Sequence, residues 1–161
     1  MKLNTAQREE LMASLNSMPE YLRECFASLT EEQARIPGPD EIFSPVEQVW
    51  HLADLEREGF GIRIQRLLSE SVPHLPDFDG SKIAAERSYR SLSLEEGLRS
   101  FKEARQKNIA ALKTVDSPMW LRSGVQEGVG SVSLCDMPNF MLQHDSAHMS
   151  EIETWKKSVV R

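Results

Sequence analysis

Phe140-Met-Leu-Gln-His-Asp-Ser-Ala-His148 places two of the chain's four histidines four residues apart, and on a helix positions i and i+4 project from one face. The flanking pattern is helical. Met137, Met141, His144, His148, Ile152, Trp155 and Val159 form one continuous stripe, which turns both histidines toward the interior. Pro138 favours a helix start near Asp136 over one at Ser133, because a proline in the first turn gives up an N–H that has no helical partner anyway.

Working outward, Ser44-Pro-Val-Glu-Gln-Val-Trp-His-Leu-Ala-Asp54 opens a second helix with Ser44 as N-cap, Pro45 in the first turn and Glu47 as capping-box partner. It is expected to run to about Ser69, with His51 on the edge of its apolar face. A third helical pattern follows the Ser93 and Glu96 capping signal, from Leu94 to about Val115. An N-terminal pattern spans Thr5 to Leu29 through Leu11, Leu15, Met18, Leu22 and Leu29. Pro19 interrupts that last pattern and predicts a kink, or a break with Ser17 capping a second segment.

The connection between helices two and three is long. Ser71-Val-Pro-His-Leu-Pro-Asp-Phe-Asp-Gly80 reads as a loop by its prolines, with a weak helical turn over 81–90. His74, between two prolines, is expected at the surface. Only the short, Gly-rich stretch from Val125 to Val132 has any strand character. The expected class is therefore all-α: a four-helix bundle with one long crossover connection, one domain over residues 1–161.

At 161 residues the chain can build a core without metal or disulfide staples, so a metal would serve function before structure. Its net charge of -6 argues against a surface that tracks phosphates, which excludes nucleic acid as an expected partner. No apolar run approaches a membrane span, and the N-terminus lacks the apolar stretch of a signal peptide; a cytoplasmic protein is expected. Cys25 and Cys135 lack the close spacing of a thiolate site and read as free thiols.

If helices two and three run parallel through the crossover, His51 lies seven residues past Ser44 and Phe101 seven past Leu94. Counting back along the last helix brings His148 to a similar level. His51, His144 and His148 could then form a facial triad around one divalent ion, with open positions for water or substrate. Three imidazoles suit Zn, Ni, Fe or Mn. The competing reading makes them hydrogen-bonded core residues. Glu47, Asp54, Asp145 and Glu151 are candidates to accept from the second ring nitrogens.

Arg105 and Asn108 intrude on the apolar stripe of helix three. In this registry Arg105 comes level with His144, where it could receive an anionic substrate group, or else pair with an acidic residue of a neighbouring helix. Asn108 reads as a pocket residue or a core hydrogen-bond donor.

With Leu29-Thr-Glu-Glu-Gln-Ala34, Ser44-Pro-Val-Glu-Gln-Val-Trp-His-Leu-Ala-Asp54 and His144-Asp-Ser-Ala-His148 in view, the chain resembles the DinB-like superfamily over nearly its full length. That superfamily includes bacillithiol and mycothiol S-transferases and maleylpyruvate isomerase. The resemblance implies a metal held by His51, His144 and His148, and a metal-dependent transferase that activates a low-molecular-weight thiol, or water, for attack on a small electrophile. It also implies that homodimers occur. Pro19 and Pro138 depart from the pattern, and the 124–130 loop is expected to line the mouth of the pocket. The alternative is a non-catalytic bundle that binds metal or a small ligand in stress response.

Overall fold

Each long helix begins where a side chain can satisfy the first free amides. Asn4 and Gln7 make a reciprocal capping box at the start of α1, Thr5–Phe26, and Ser44 and Glu47 make another at the start of α2, Pro45–Asp54. A π-helical segment, Leu55–Phe60, joins α2 to α3, Gly61–Ser69, so that helix two of the sequence reading is one rod with a wide turn inside it. The crossover carries a short strand, β1 (His74–Leu75), and a short helix, α4 (Gly80–Glu86). Ser93 then accepts from the Glu96 amide to open α5, Leu94–Lys113. The last helix, α6, is Met137–Val159, and Pro138 lies in its first turn. The computed structural model describes residues 3–159.

Side-chain pairings fix the directions of these helices. Trp50 donates to the Ser93 carbonyl, while Arg105 and Asn108 reach Glu56, so α2 and α5 run parallel, as the long crossover requires. Tyr21 donates to Glu153, and Phe26 packs edge-on to Trp155, making α1 parallel to α6. Gln48 bonds Glu151, so α2 and α6 are antiparallel. Two apolar clusters fill the interior. One gathers Met12, Leu15, Ile64, Leu67, Leu112, Met137 and Met141, and the other Met18, Leu22, Phe26, Val49, Leu52, Phe101 and Ile152. The polar site described below belongs to neither cluster.

Beside the bundle is one small sheet, which qualifies the all-α expectation. Strands β2 (Ser123–Gln126) and β3 (Gly130–Ser133) form an antiparallel hairpin, and β1 pairs parallel to β2, with Leu75 opposite Gln126. Proline-rich sequence hid β1. His74 is exposed, as expected. The hairpin touches Pro73, Leu75 and Leu67, and the Asp77 amide donates to Glu127. The 124–130 loop thus does not line the histidines; it holds the crossover segment that does. Among the described residues no helix is long and apolar enough to cross a membrane.

Pro19 neither breaks nor caps α1. The helix is continuous through it, and the Ser17 hydroxyl donates back to the Ser14 carbonyl instead of capping a new segment. Proline has no N–H to give the carbonyl four residues before it, so Leu15 loses its helical partner. The Arg105 guanidinium replaces it, donating from Nη1 to the Leu15 carbonyl at 3.0 Å. A long-range contact, invisible to local sequence rules, resolves the local defect.

Candidate metal centre

His51 from α2 and His144 and His148 from α6 meet inside the bundle. Their Nε2 atoms face one another, with His144 3.3 Å from His51 and 3.1 Å from His148. Nitrogen ligands about 2.0–2.1 Å from a tetrahedral cation stand about 3.3 Å apart, so these separations match a shared ion. The three candidate ligand atoms all lie within 4.8 Å of one another.

Tautomer and charge also suit a cation. Gln48 donates from Nε2 to Glu151 at 2.8 Å, which leaves its Oε1 to accept from His148 Nδ1. Glu151 also stands 3.2 Å from that nitrogen. With the proton held on Nδ1, the Nε2 lone pair of His148 is turned into the cluster. Burial pushes the His51 imidazole down to about 4 and that of His144 down to about 3, and the neighbouring His148 lowers both further. Neutral rings are what a metal binds. Three lone-pair nitrogens packed this closely repel unless a proton or a cation lies between them.

The walls are aromatic. Phe43 and Phe78 flank the His51 ring at centroid distances of 5.6 and 6.1 Å, and Phe60 lies 6.1 Å from His144. Gly80 closes against His51 so tightly that a β-carbon there would lie 2.4 Å from Cε1. His51 Nδ1 is buried without a partner.

Beneath the cluster lies a buried ionic group. Arg105, 1% exposed, donates to both oxygens of Glu56 and both of Asp145, and adds the Leu15 carbonyl. All five of its N–H groups are spent. The expectation that Arg105 receives an anionic substrate group is therefore corrected: it pairs with acidic residues of neighbouring helices, the other reading given above. Asn108 is likewise committed, donating to the Glu56 carbonyl at 2.8 Å and to its carboxylate at 3.0 Å. Burial pushes the Glu56 carboxyl up, opposed by the Arg105 charge and assisted by that of Asp145.

The π turn delivers Glu56 to this group. The Glu56 carbonyl accepts from the Gly61 amide and from Asn108, and a β-carbon at residue 61 would lie 2.8 Å from that carbonyl. Of the four acidic candidates for support, only Glu151 touches a histidine. Glu47 binds Ser44 and Arg90, Asp54 binds Arg57, Arg87 and Tyr89, and Asp145 binds Arg105. Sequence reasoning missed Gln48 and Glu56. Both are polar residues within the apolar run of one helix, and Gly59 and Gly61 mark an irregular turn beside Glu56.

A bundle of this topology with three inward imidazoles on two antiparallel helices defines the class. The chain belongs to the DinB superfamily, which it matches over residues 14–152. It is 32% identical over 90 residues to a protein of Geobacillus thermodenitrificans (strain NG80-2) named "Putative metal-dependent hydrolase". That alignment spans 56% of this chain and 50% of the relative, so the chain matches about half the relative's length. Its fold is that of YfiT from Bacillus subtilis, described as "a probable metal-dependent hydrolase with an unusual four-helix bundle topology". The TM-score is 0.88 at 18% identity, covering 97% of this chain and 89% of that one.

Proposed function

We propose that the chain is a metal-dependent enzyme in which His51, His144 and His148 hold one divalent cation and leave coordination positions open to a nucleophile. The observation that carries this reading is the convergence of three imidazoles, with His144 Nε2 at ligand spacing from the Nε2 of both His51 and His148 and with His148 held in the ligand tautomer by Gln48. When bound, such a cation lowers the pKa of a coordinated water or thiol, so that the anion is available near neutral pH. The chain's own part is to supply neutral ligands, to orient His148 through Gln48 and Glu151, and to exclude bulk water with Phe43, Phe60 and Phe78.

Two nucleophiles fit this centre. Water would make the protein a hydrolase, in line with the names of the two relatives, and a low-molecular-weight thiol would make it a transferase, as the superfamily resemblance implies. Zn, Ni, Fe and Mn all suit three imidazoles. The test measures metal content and turnover on wild type and His148→Ala, using ester and amide substrates without thiol, then bacillithiol, mycothiol or glutathione with a chlorinated or epoxide acceptor. Stoichiometric metal lost in the variant, together with turnover in one arm, supports the proposal. Metal without turnover in either arm would favour a binding bundle, and absence of stoichiometric metal would overturn the centre itself.

A further inference from the structure

Among the described residues, three buried side-chain atoms have no hydrogen-bond partner: His51 Nδ1, Arg63 Nε and Gln126 Oε1. All three belong to residues against one short stretch of the crossover. Gly80 and Phe78 stand against His51, Arg63 donates from Nη2 to the Pro76 carbonyl at 3.2 Å, and Gln126 pairs in register with Leu75. Unmet polar groups are rare in a folded interior, and these three gather along residues 75–80.

Arg63 is the cation of this group, and it contrasts with Arg105. Both are buried, at 5% and 1% exposure. Arg105 spends all five donors on two carboxylates and a carbonyl, whereas Arg63 makes one hydrogen bond among the described residues, to Pro76. Among the described residues no carboxylate pairs directly with Arg63; Asp77 acts on it through space. A buried guanidinium with no carboxylate bonded to it directly is costly unless an anion arrives to complete it.

Its position ties it to the histidines. The Arg63 Cζ lies 5.7 Å from the Phe60 ring centre, and that ring lies 6.1 Å from the His144 ring. Arg63 is therefore no further from His144 than those two separations laid end to end, a span that a small molecule bridges. The ring of Phe60, itself buried, stands between them.

We infer that Arg63 binds the carboxylate of the substrate, and that the substrate is a small carboxylic acid with an apolar body lying along Phe60 and Phe78 toward the histidine cluster. This rests on the reading of that cluster as the reaction centre. The substrate carboxylate supplies the counter-ion that Asp77 does not, and Arg63 fixes which end of the molecule faces the histidines.

The test is binding of phenylacetate and of phenylacetamide, an uncharged analogue of the same shape, to chelator-treated protein, where a cation cannot hold the carboxylate. Wild type is expected to bind phenylacetate about tenfold tighter or more, and Arg63→Met to lose that preference while keeping its helical circular dichroism. In 15N-arginine-labelled wild type, the Arg63 Nε–H resonance, assigned by its loss in Arg63→Lys, is expected to shift with phenylacetate and not with the amide. Should Arg63→Met fail to fold, that resonance decides the matter. Equal binding of acid and amide, a preference that survives in folded Arg63→Met, or an unmoved Nε–H signal at saturation would overturn the inference. Because no metal is present, these outcomes are independent of the metal measurement: a protein that held no metal yet preferred the acid would lose the reaction reading and keep the anion site.

Discussion

The carbonyl of Leu15, freed by Pro19, accepts from the guanidinium of Arg105 at 3.0 Å. One side chain on α5 thereby joins α1, the π segment through Glu56, and α6 through Asp145. Asp145 is the neighbour of His144 in the chain, so the helix that carries two of the three imidazoles is anchored one residue away from the first of them.

Arg105→Met should destabilise the fold by about 3–5 kcal/mol, because it strands two buried carboxylates without their partner. Urea denaturation at several pH values tests the cause as well as the size. In the variant the burial that pushes the Glu56 carboxyl up is no longer opposed by the Arg105 charge, so the stability Glu56 contributes is present below its unfolded range and lost as pH rises through its higher folded value. The gap to wild type should therefore narrow toward pH 4. A gap independent of pH would point to packing alone.

Gln48→Leu removes the acceptor that holds the His148 proton on Nδ1. Loss of such a partner typically weakens metal binding by about 10- to 100-fold, and that loss is expected here with little change in helical content. Competition against a chromophoric chelator measures it. Gln48→Glu keeps an acceptor at the same reach but sets a second carboxylate against Glu151, so it should recover only part of the affinity.

Gly80→Ala leaves every ligand in place but sets a β-carbon 2.4 Å from His51 Cε1. The imidazole is the flexible partner and should turn aside. Metal affinity is expected to fall by about tenfold or more, with a shifted cobalt absorption spectrum and near-normal thermal stability. An unchanged cobalt spectrum would show that the crossover gives way instead of the ring.

Chelator-treated protein should lose stability as pH falls below about 6.5. Unfolded histidine takes up a proton near 6.5, while burial holds folded His51 near 4 and folded His144 near 3. The unfolded state thus binds more protons through that window, so the stabilisation is present above 6.5 and is lost as pH falls toward the folded values. Thermal melts from pH 7.5 to 4.5 read the slope. His144→Leu should flatten it.

Where a signal was local, the sequence carried it. The Ser44-Pro45-Glu47 cap, the inward stripe of α6 and the i, i+4 histidine pair each depend on residues within a few turns, and the long crossover allows the parallel course of α2 and α5 on which the registry is conditional. Pro19 reads as a break only because the carbonyl it frees is met by Arg105, ninety positions beyond Leu15 in the chain. The roles of Arg105 and Asn108 turn on Glu56, which faces inward because of a π turn that no periodicity rule anticipates. Strand β1 owes its existence to a partner about fifty residues downstream. Gln48, Gly80 and Arg63 acquire meaning only from what packs against them.

The walls of the histidine pocket answer to two separate authorities. Its floor is riveted by one guanidinium to every long helix, whereas much of its roof is a surface connection braced by a hairpin. Residues of that connection other than Gly80 can be exchanged without touching the guanidinium contacts that anchor the histidine-bearing helices. Such a division separates what keeps the imidazoles in register from what covers them.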